Sequence, residues 1–135
     1  MRTILVGTDT TAAADLAVED AAGLARARGA ELLVLYVRPE SDLRAAVDPN
    51  RSPDPNGYLA KMRDRFPDVP TRTRSELGDP AETICEVAAE ESVDTIVIGN
   101  RGANGSRWAV RDAVPTLVLR HAPCSVFIVD TRRAQ

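Results

Sequence analysis

The sequence predicts an α/β protein of one domain, residues 1–135, with a five-stranded parallel sheet covered by helices on both faces. Short apolar runs alternate along the chain with stretches in which apolar residues recur every three or four positions, as they do on one side of a helix. The apolar runs are continuous, which is typical of parallel strands buried on both faces. A length of 135 residues is that of one ordinary domain.

An apolar run and two capping signals mark the first strand and the first helix. Residues 4–6, Ile-Leu-Val, form the buried strand. Apolar residues at helical spacing predict a helix over residues 11–28. Thr10 or Thr11 can accept a hydrogen bond from the first turn of this helix. Gly29 can adopt the left-handed conformation that ends it.

The middle of the chain is less regular. Residues 32–37 form a second continuous apolar strand, and residues 49–57 are rich in turn-forming residues, which predicts a surface loop. Three residues that lie four positions apart predict the apolar face of a short helix: Tyr58, Met62 and Phe66. Residues 69–77 contain alternating arginines, so we expect a strand at one edge of the sheet.

The last part of the chain repeats the pattern of strand and helix. Residues 79–82, Asp-Pro-Ala-Glu, start a helix, because the aspartate is a cap, the proline suits the first position and an acid follows three residues after the cap. Residues 95–98 form a strong strand, a further helix ends near His121, and residues 125–129 form the final strand. Such alternation predicts right-handed crossovers between parallel strands.

The composition excludes several classes of function. A net charge of −3 and 4% aromatic residues argue against nucleic acid as a partner, since its binding needs a basic face and stacking side chains. One histidine and two cysteines cannot supply the about four ligands of a structural zinc site. No apolar run approaches the ~20 residues of a membrane span, and residues 1–6 do not resemble a signal peptide. We therefore expect a cytoplasmic protein.

Two loops that follow strands carry the candidate binding residues. Ligands of parallel sheets bind at the carboxyl ends of the strands. Thr8 and Asp9 follow the first strand, where a carboxylate can accept hydrogen bonds from a ribose or an adenine amine; alternatively, Asp9 bonds the backbone of its own turn. Gly99, Gly102 and Gly105 follow the fourth strand, where they allow close approach of a ligand to the backbone or simply form a flexible connection.

Four segments of the chain are similar to one known family. They cover residues 6–9, 32–37, 78–80 and 98–124. On these segments the chain resembles the universal stress proteins over nearly its whole length. The resemblance implies a Rossmann-like, adenine nucleotide alpha hydrolase-like sheet in the order 3-2-1-4-5, which often forms a homodimer through its last strand.

The resemblance also implies a set of nucleotide-binding positions. The nucleotide-binding members carry a glycine, two residues, a second glycine, nine residues, and then a glycine followed by serine or threonine. Gly99 and Gly102 match the first two glycines. Asp9 matches the aspartate that contacts the nucleotide, and Val37 matches a residue that packs on the adenine or ribose.

The phosphate end of this motif differs in the present sequence. Asp112 and Ala113 occupy the places of the last glycine and of the serine or threonine. Aspartate is a strong N-cap, so its carboxylate can bond the amides, including that of Val114, which would otherwise face a phosphate. Arg101, Arg107 and Arg111 can offset this charge or lie in solvent.

Two functions are compatible with these residues, and a third lacks the residues that it needs. The first is a non-catalytic, dimeric stress-response or regulatory domain that binds ATP weakly or not at all and has an unknown protein partner. The second is a member of the family that binds ATP or AMP, with slow ATPase activity. The third, a phosphoacceptor receiver domain, needs a cluster of acids, an aspartate that ends strand three and a lysine that ends strand five. The sequence has Glu76 in the place of the aspartate and a single lysine, Lys61.

Overall fold

The predicted fold class and strand order are present in the computed structural model, which describes residues 2–38, 54–100 and 113–131. All strand pairs are parallel, and the order is β3-β2-β1-β4-β5. The strands are β1 (Thr3–Thr8), β2 (Glu31–Arg38), β3 (Thr71–Leu77), β4 (Thr95–Gly99) and β5 (Ser125–Val129). The described helices are α1 (Ala12–Arg28), α2 (Pro55–Arg65), α3 (Pro80–Glu90) and α4 (Ala113–His121).

The two faces of the sheet form two separate apolar cores. In β1, Ile4 and Val6 face the side covered by α1 and α2, whereas Leu5 faces the side covered by α3 and α4. All three side chains are fully buried. Successive residues of a strand point to opposite faces, so a strand covered on both sides must be apolar at every position. Burial of both faces thus explains why the apolar runs in the sequence are continuous.

The capping residues explain where the helices begin and end. Thr11 accepts a hydrogen bond from the Ala14 amide at 3.2 Å, and Asp79 accepts one from the Glu82 amide at 3.0 Å. Gly29 ends α1 with a φ of +62°, a conformation that residues with a Cβ rarely adopt. The predicted caps are therefore confirmed.

The predicted loop over residues 49–57 is wrong at its end, because α2 begins at Pro55. Asp54 caps this helix through a hydrogen bond from the Gly57 amide at 3.1 Å. Pro55 at the first helical position has no amide hydrogen that needs a partner. The same aspartate and proline that suggested a turn thus start a helix. Residues 49–53 lie outside the described residues.

The two cysteines are half-buried free thiols beside the core between the sheet and α3 and α4. Burial raises the pKa of both Cys85 and Cys124, which keeps the thiols protonated. No helix in the described ranges is both long and apolar enough to cross a membrane.

Candidate functional site

Strands β1 and β4 stop pairing before either strand ends. The last pair between them is Val6 with Val97, although β1 continues to Thr8 and β4 to Gly99. On its other side, β1 stays paired with β2 as far as Thr8. We call this point the β1–β4 fork. It lies where the strand order reverses, which is the usual ligand position in open parallel sheets.

The loop after β1 is held by the side chain of Asp9. Its Oδ1 atom accepts hydrogen bonds from the Thr11 amide at 3.1 Å and from the Thr11 hydroxyl at 2.6 Å. Asp9 is 3% exposed, and Thr10 between the two has a φ of +68°. A β-branched residue at positive φ is uncommon and costs energy, which the Asp9–Thr11 hydrogen bonds offset. Asp9 thus has the turn-stabilising role that the sequence left open as an alternative.

A chain of hydrogen bonds connects this loop to two helices. Thr8 Oγ1 accepts a hydrogen bond from the Thr10 amide at 3.0 Å and lies 3.0 Å from the Tyr58 hydroxyl. Tyr58, on α2, donates to Asp15 Oδ1 of α1 at 2.5 Å. The phenol has one proton. When that proton points to an ionised Asp15, the Thr8 hydroxyl must donate to Tyr58, so the direction of the chain is fixed.

The pKa values of this chain follow from its burial. Burial raises the pKa of Asp15, and the hydrogen bond from Tyr58 and the charge of Arg65 oppose that shift only in part. Burial, together with the nearby Asp15, raises the pKa of Tyr58 well above its usual range. The phenol therefore remains a hydrogen-bond donor throughout the physiological pH range.

Two residues of this region were missed in the sequence. The four-residue spacing predicts only an apolar role for Tyr58. A buried tyrosine hydroxyl usually needs a polar partner, and this rule is the signal in the sequence that indicates the hydrogen bonds. Asn100 directly follows β4, and its Oδ1 atom accepts hydrogen bonds from the amide and the hydroxyl of Thr131, at 3.1 and 3.3 Å. It thereby ties the end of β4 to the residues that follow β5.

The predicted binding residues that the structure describes lie at the carboxyl edge of the sheet or in α4. Thr8 and Val37 are fully buried, and Val37 packs in the core below α3. Gly99 is half-buried at the fork. Ala113 begins α4, and Val114 in its first turn is 6% exposed.

Other predicted positions lie outside the described residues: Gly102, Gly105, Asp112 and the arginines 101, 107 and 111. Within the described ranges, no group of three or more histidine, cysteine, aspartate or glutamate side chains is arranged to hold a metal ion. The geometry therefore offers a buried, hydrogen-bonded loop beside a strand fork, without a metal cluster in the part described.

Comparison with known sequences gives one consistent family. A sequence model of the universal stress protein family matches residues 1–130. The universal stress protein Slr1101 of Synechocystis sp. is 36% identical over 64 residues, which are 47% of this chain and 59% of that protein. The putative universal stress protein SH1215 of Staphylococcus haemolyticus is 26% identical over an alignment of 140 residues, covering 96% of this chain and 85% of that protein.

Solved structures show the same similarity over almost the whole chain. A universal stress protein crystallised in complex with cAMP has a TM-score of 0.76 and 26% identity, covering 96% of this chain and 97% of that one. The universal stress protein UspA from Lactobacillus plantarum has a TM-score of 0.72 and 29% identity, covering 95% of this chain and 97% of that one.

Proposed function

Because the chain belongs to the universal stress protein family, we propose that it is a non-catalytic stress-response or regulatory domain that binds an adenine nucleotide weakly at the β1–β4 fork. The observation that carries this proposal is the early end of the β1–β4 pairing, at the point where the strand order reverses. The similar structure in complex with cAMP supports an adenine nucleotide as the ligand class.

The contacts with the base and sugar of the nucleotide are proposed from the positions of four residues in the sheet. Thr8, Asp9 and Gly99 lie at the fork, and Val37 is near the end of the adjacent strand β2. The Oδ1 atom of Asp9 already accepts two hydrogen bonds from Thr11. Asp9 would therefore bind a ribose or an adenine amine while it keeps these bonds. Gly102 and Gly105 are proposed as binding residues from their places in the sequence after β4.

The weakness of binding is proposed from the phosphate end. Since α4 begins at Ala113, Asp112 immediately precedes the first helical residue, the usual position of a capping aspartate. If Asp112 caps α4, a phosphate at the amides of Ala113 and Val114 would meet a like charge. At ~5 Å and an effective dielectric constant of ~20, the repulsion is about 3 kcal/mol for each unit charge, or roughly a hundredfold in affinity.

Calorimetric titration with cAMP, AMP, ADP and ATP, with and without Mg²⁺, tests the proposal. We expect ATP to bind more weakly than ~100 µM, and the double change Asp112→Gly with Ala113→Ser to raise its affinity about 10- to 100-fold, because a like charge is removed. Asp79→Gly removes an equivalent capping charge from α3 and serves as the matched control.

Each part of the proposal has its own contradicting result. If neither the wild type nor the double variant binds any adenine nucleotide, the fork is not a nucleotide site. Tight ATP binding by the wild type contradicts the role of Asp112. Release of inorganic phosphate from ATP at a rate proportional to protein concentration contradicts a non-catalytic domain. An affinity that Asp9→Ala leaves unchanged removes Asp9 from the site.

We also propose that the protein is a homodimer formed through β5. This strand lies at the edge of the sheet, and its side chains Phe127 and Ile128 are 48% and 41% exposed. An edge strand presents backbone groups without a strand partner, and exposed apolar side chains on both of its faces favour a second copy of the chain as the cover.

A further inference from the structure

A groove of about 530 Å³ is lined by residues of α3 and α4. Four of its lining residues are small or apolar, three are acidic, of which Asp79 caps α3, and the eighth is His121 at the end of α4. The apolar floor consists of Ala81, Cys85, Ala89 and Leu117, and the acidic rim consists of Glu82 and Glu86.

The apolar floor and the acidic rim both run along α3, as the spacing of their residues shows. Ala81, Cys85 and Ala89 are four positions apart, so they form one row along the helix. Glu82 and Glu86 form the next row, one helical turn from each other, which is about 6 Å along the helix surface. Helix α3 thus presents an apolar row and an acidic row side by side, each directed along the same groove.

The acidic rim differs from the other acids of the structure. Among the residues that the structure describes, Glu82 and Glu86 are the carboxylates that make no hydrogen bond and no ion pair. The acids at the end of α3 form ion pairs with arginines of β3, Glu90 with Arg74 and Glu91 with Arg72. Asp79, at the start of α3, caps the helix. The other described carboxylates thus have a hydrogen-bond or ion-pair partner, and the two beside the apolar floor do not.

We propose that this groove docks a cationic amphipathic helix from a partner protein. Charge complementarity selects the occupant: lysine or arginine side chains one turn apart meet Glu82 and Glu86, while apolar side chains of the same face cover the floor. The backbone groups of α3 and α4 are already paired within their helices, so an extended segment laid on the floor would leave its own polar groups unsatisfied. A helix satisfies its backbone internally and continues the layer formed by α3 and α4.

The test uses the full chain and a fluorescein-labelled, 14-residue helical peptide. Leucines follow one face of the peptide, arginines flank that face and alanine fills the other positions. Fluorescence anisotropy measures its affinity at low and physiological salt. Glu82→Gln with Glu86→Gln should weaken binding about tenfold, since two charge pairs are lost. Glu19→Gln with Asp64→Asn changes the net charge equally, but on α1 and α2 at the opposite face of the sheet, and should change the affinity less than twofold.

A second variant separates docking from general attraction between charges. Ala89→Glu adds an acid to α3 but places a longer side chain over the apolar floor. Docking in the groove predicts at least fivefold weaker binding, whereas charge attraction alone predicts tighter binding. Ala89 is exposed and glutamate is a good helix former, so we expect this variant to fold, which circular dichroism melting verifies.

Four results would overturn the proposal. They are the absence of peptide binding to the wild type, an equal loss of affinity in the two double variants, equal binding of a peptide with the same composition in scrambled order, and tighter binding by Ala89→Glu. None of these measurements involves nucleotide, so the outcome is independent of the fork.

Discussion

The two edges of the sheet are built in opposite ways. On β3, Arg72 contacts Glu31 at 2.9 Å and Glu91 at 2.8 Å, and Arg74 contacts Glu76 at 2.8 Å. On β5, the side chains at the centre of the strand are apolar and nearly half exposed. One edge is covered by a network of ion pairs that connects β2, β3 and α3, and the other edge offers apolar surface.

This difference explains how a sheet with two open edges can avoid growing without limit. Charged side chains on an edge strand oppose pairing with another chain, because pairing would displace their partners and remove them from water. When one edge is protected, the other can pair with a second copy about a two-fold axis, and the assembly closes. The edge comparison therefore predicts a dimer rather than a filament.

The largest expected effect comes from a charge on the apolar edge. Phe127→Asp should raise the dissociation constant of the dimer at least a hundredfold, because two like charges would meet across a desolvated interface. Sedimentation velocity at ~50 µM should change from dimer to monomer. The matched control is Leu77→Asp, which places the same charge on a 53% exposed leucine at the end of β3. If the control dissociates the assembly equally, or Phe127→Asp leaves it unchanged, β5 is not the interface.

A second change makes the protected edge similar to the apolar one. Arg72→Val with Arg74→Val removes the ion pairs and adds β-branched residues, so we expect species larger than a dimer, which light scattering detects as concentration rises. Arg26→Val with Arg28→Val also removes two ion-paired arginines, but at the end of α1 away from the sheet edges. Equal aggregation of both variants would attribute the effect to lost charge rather than to the edge.

The smallest expected effect is the pH dependence of the β3 network. Hydrogen bonds from Arg72 and then Arg74 lower the pKa of Glu91 from its ordinary value of 4.5. A lowered folded-state pKa stabilises the protein above the unfolded-state pKa, and this contribution disappears as pH falls through the folded-state value. Glu91→Gln should therefore cost about 1 kcal/mol or less at pH 7 and a smaller amount at pH 3, below the ordinary pKa of 4.5, by urea unfolding. A cost that is equal at both pH values would contradict the role of the ion pairs.

The sequence predicted the architecture because its signals are local and repeated. Continuous apolar runs, the cap at Asp79 and the end at Gly29 each report on a few neighbouring residues, and all three agree with the structure. The arginines of residues 69–77 correctly placed that strand at an edge. The start of α2 was missed because Asp54 and Pro55 favour both a turn and a helix start, and only the following residues decide between them.

The candidate site was predicted less completely because its geometry is not local. The early end of the β1–β4 pairing depends on how two strands far apart in sequence diverge. Likewise, the hydroxyl of Tyr58 forms a hydrogen bond with Thr8, which is fifty residues away in sequence. The spacing of apolar residues indicates only that the ring of Tyr58 is buried, not where its hydroxyl binds. The positive φ of Thr10 is contrary to its intrinsic preference, so no propensity rule finds it.

The hydrogen bonds around Thr8–Thr11 have a consequence for the thermodynamics of any ligand at the fork. Ordering one residue of backbone costs about 1–2 kcal/mol of conformational entropy, and here that cost is incurred when the chain folds. Asp9, Thr11 and Tyr58 keep the loop in one conformation before a ligand arrives. Such preorganisation leaves little flexibility to be lost on binding. Amide hydrogens of this loop should accordingly exchange slowly in the free protein, and ligand binding should protect them little further.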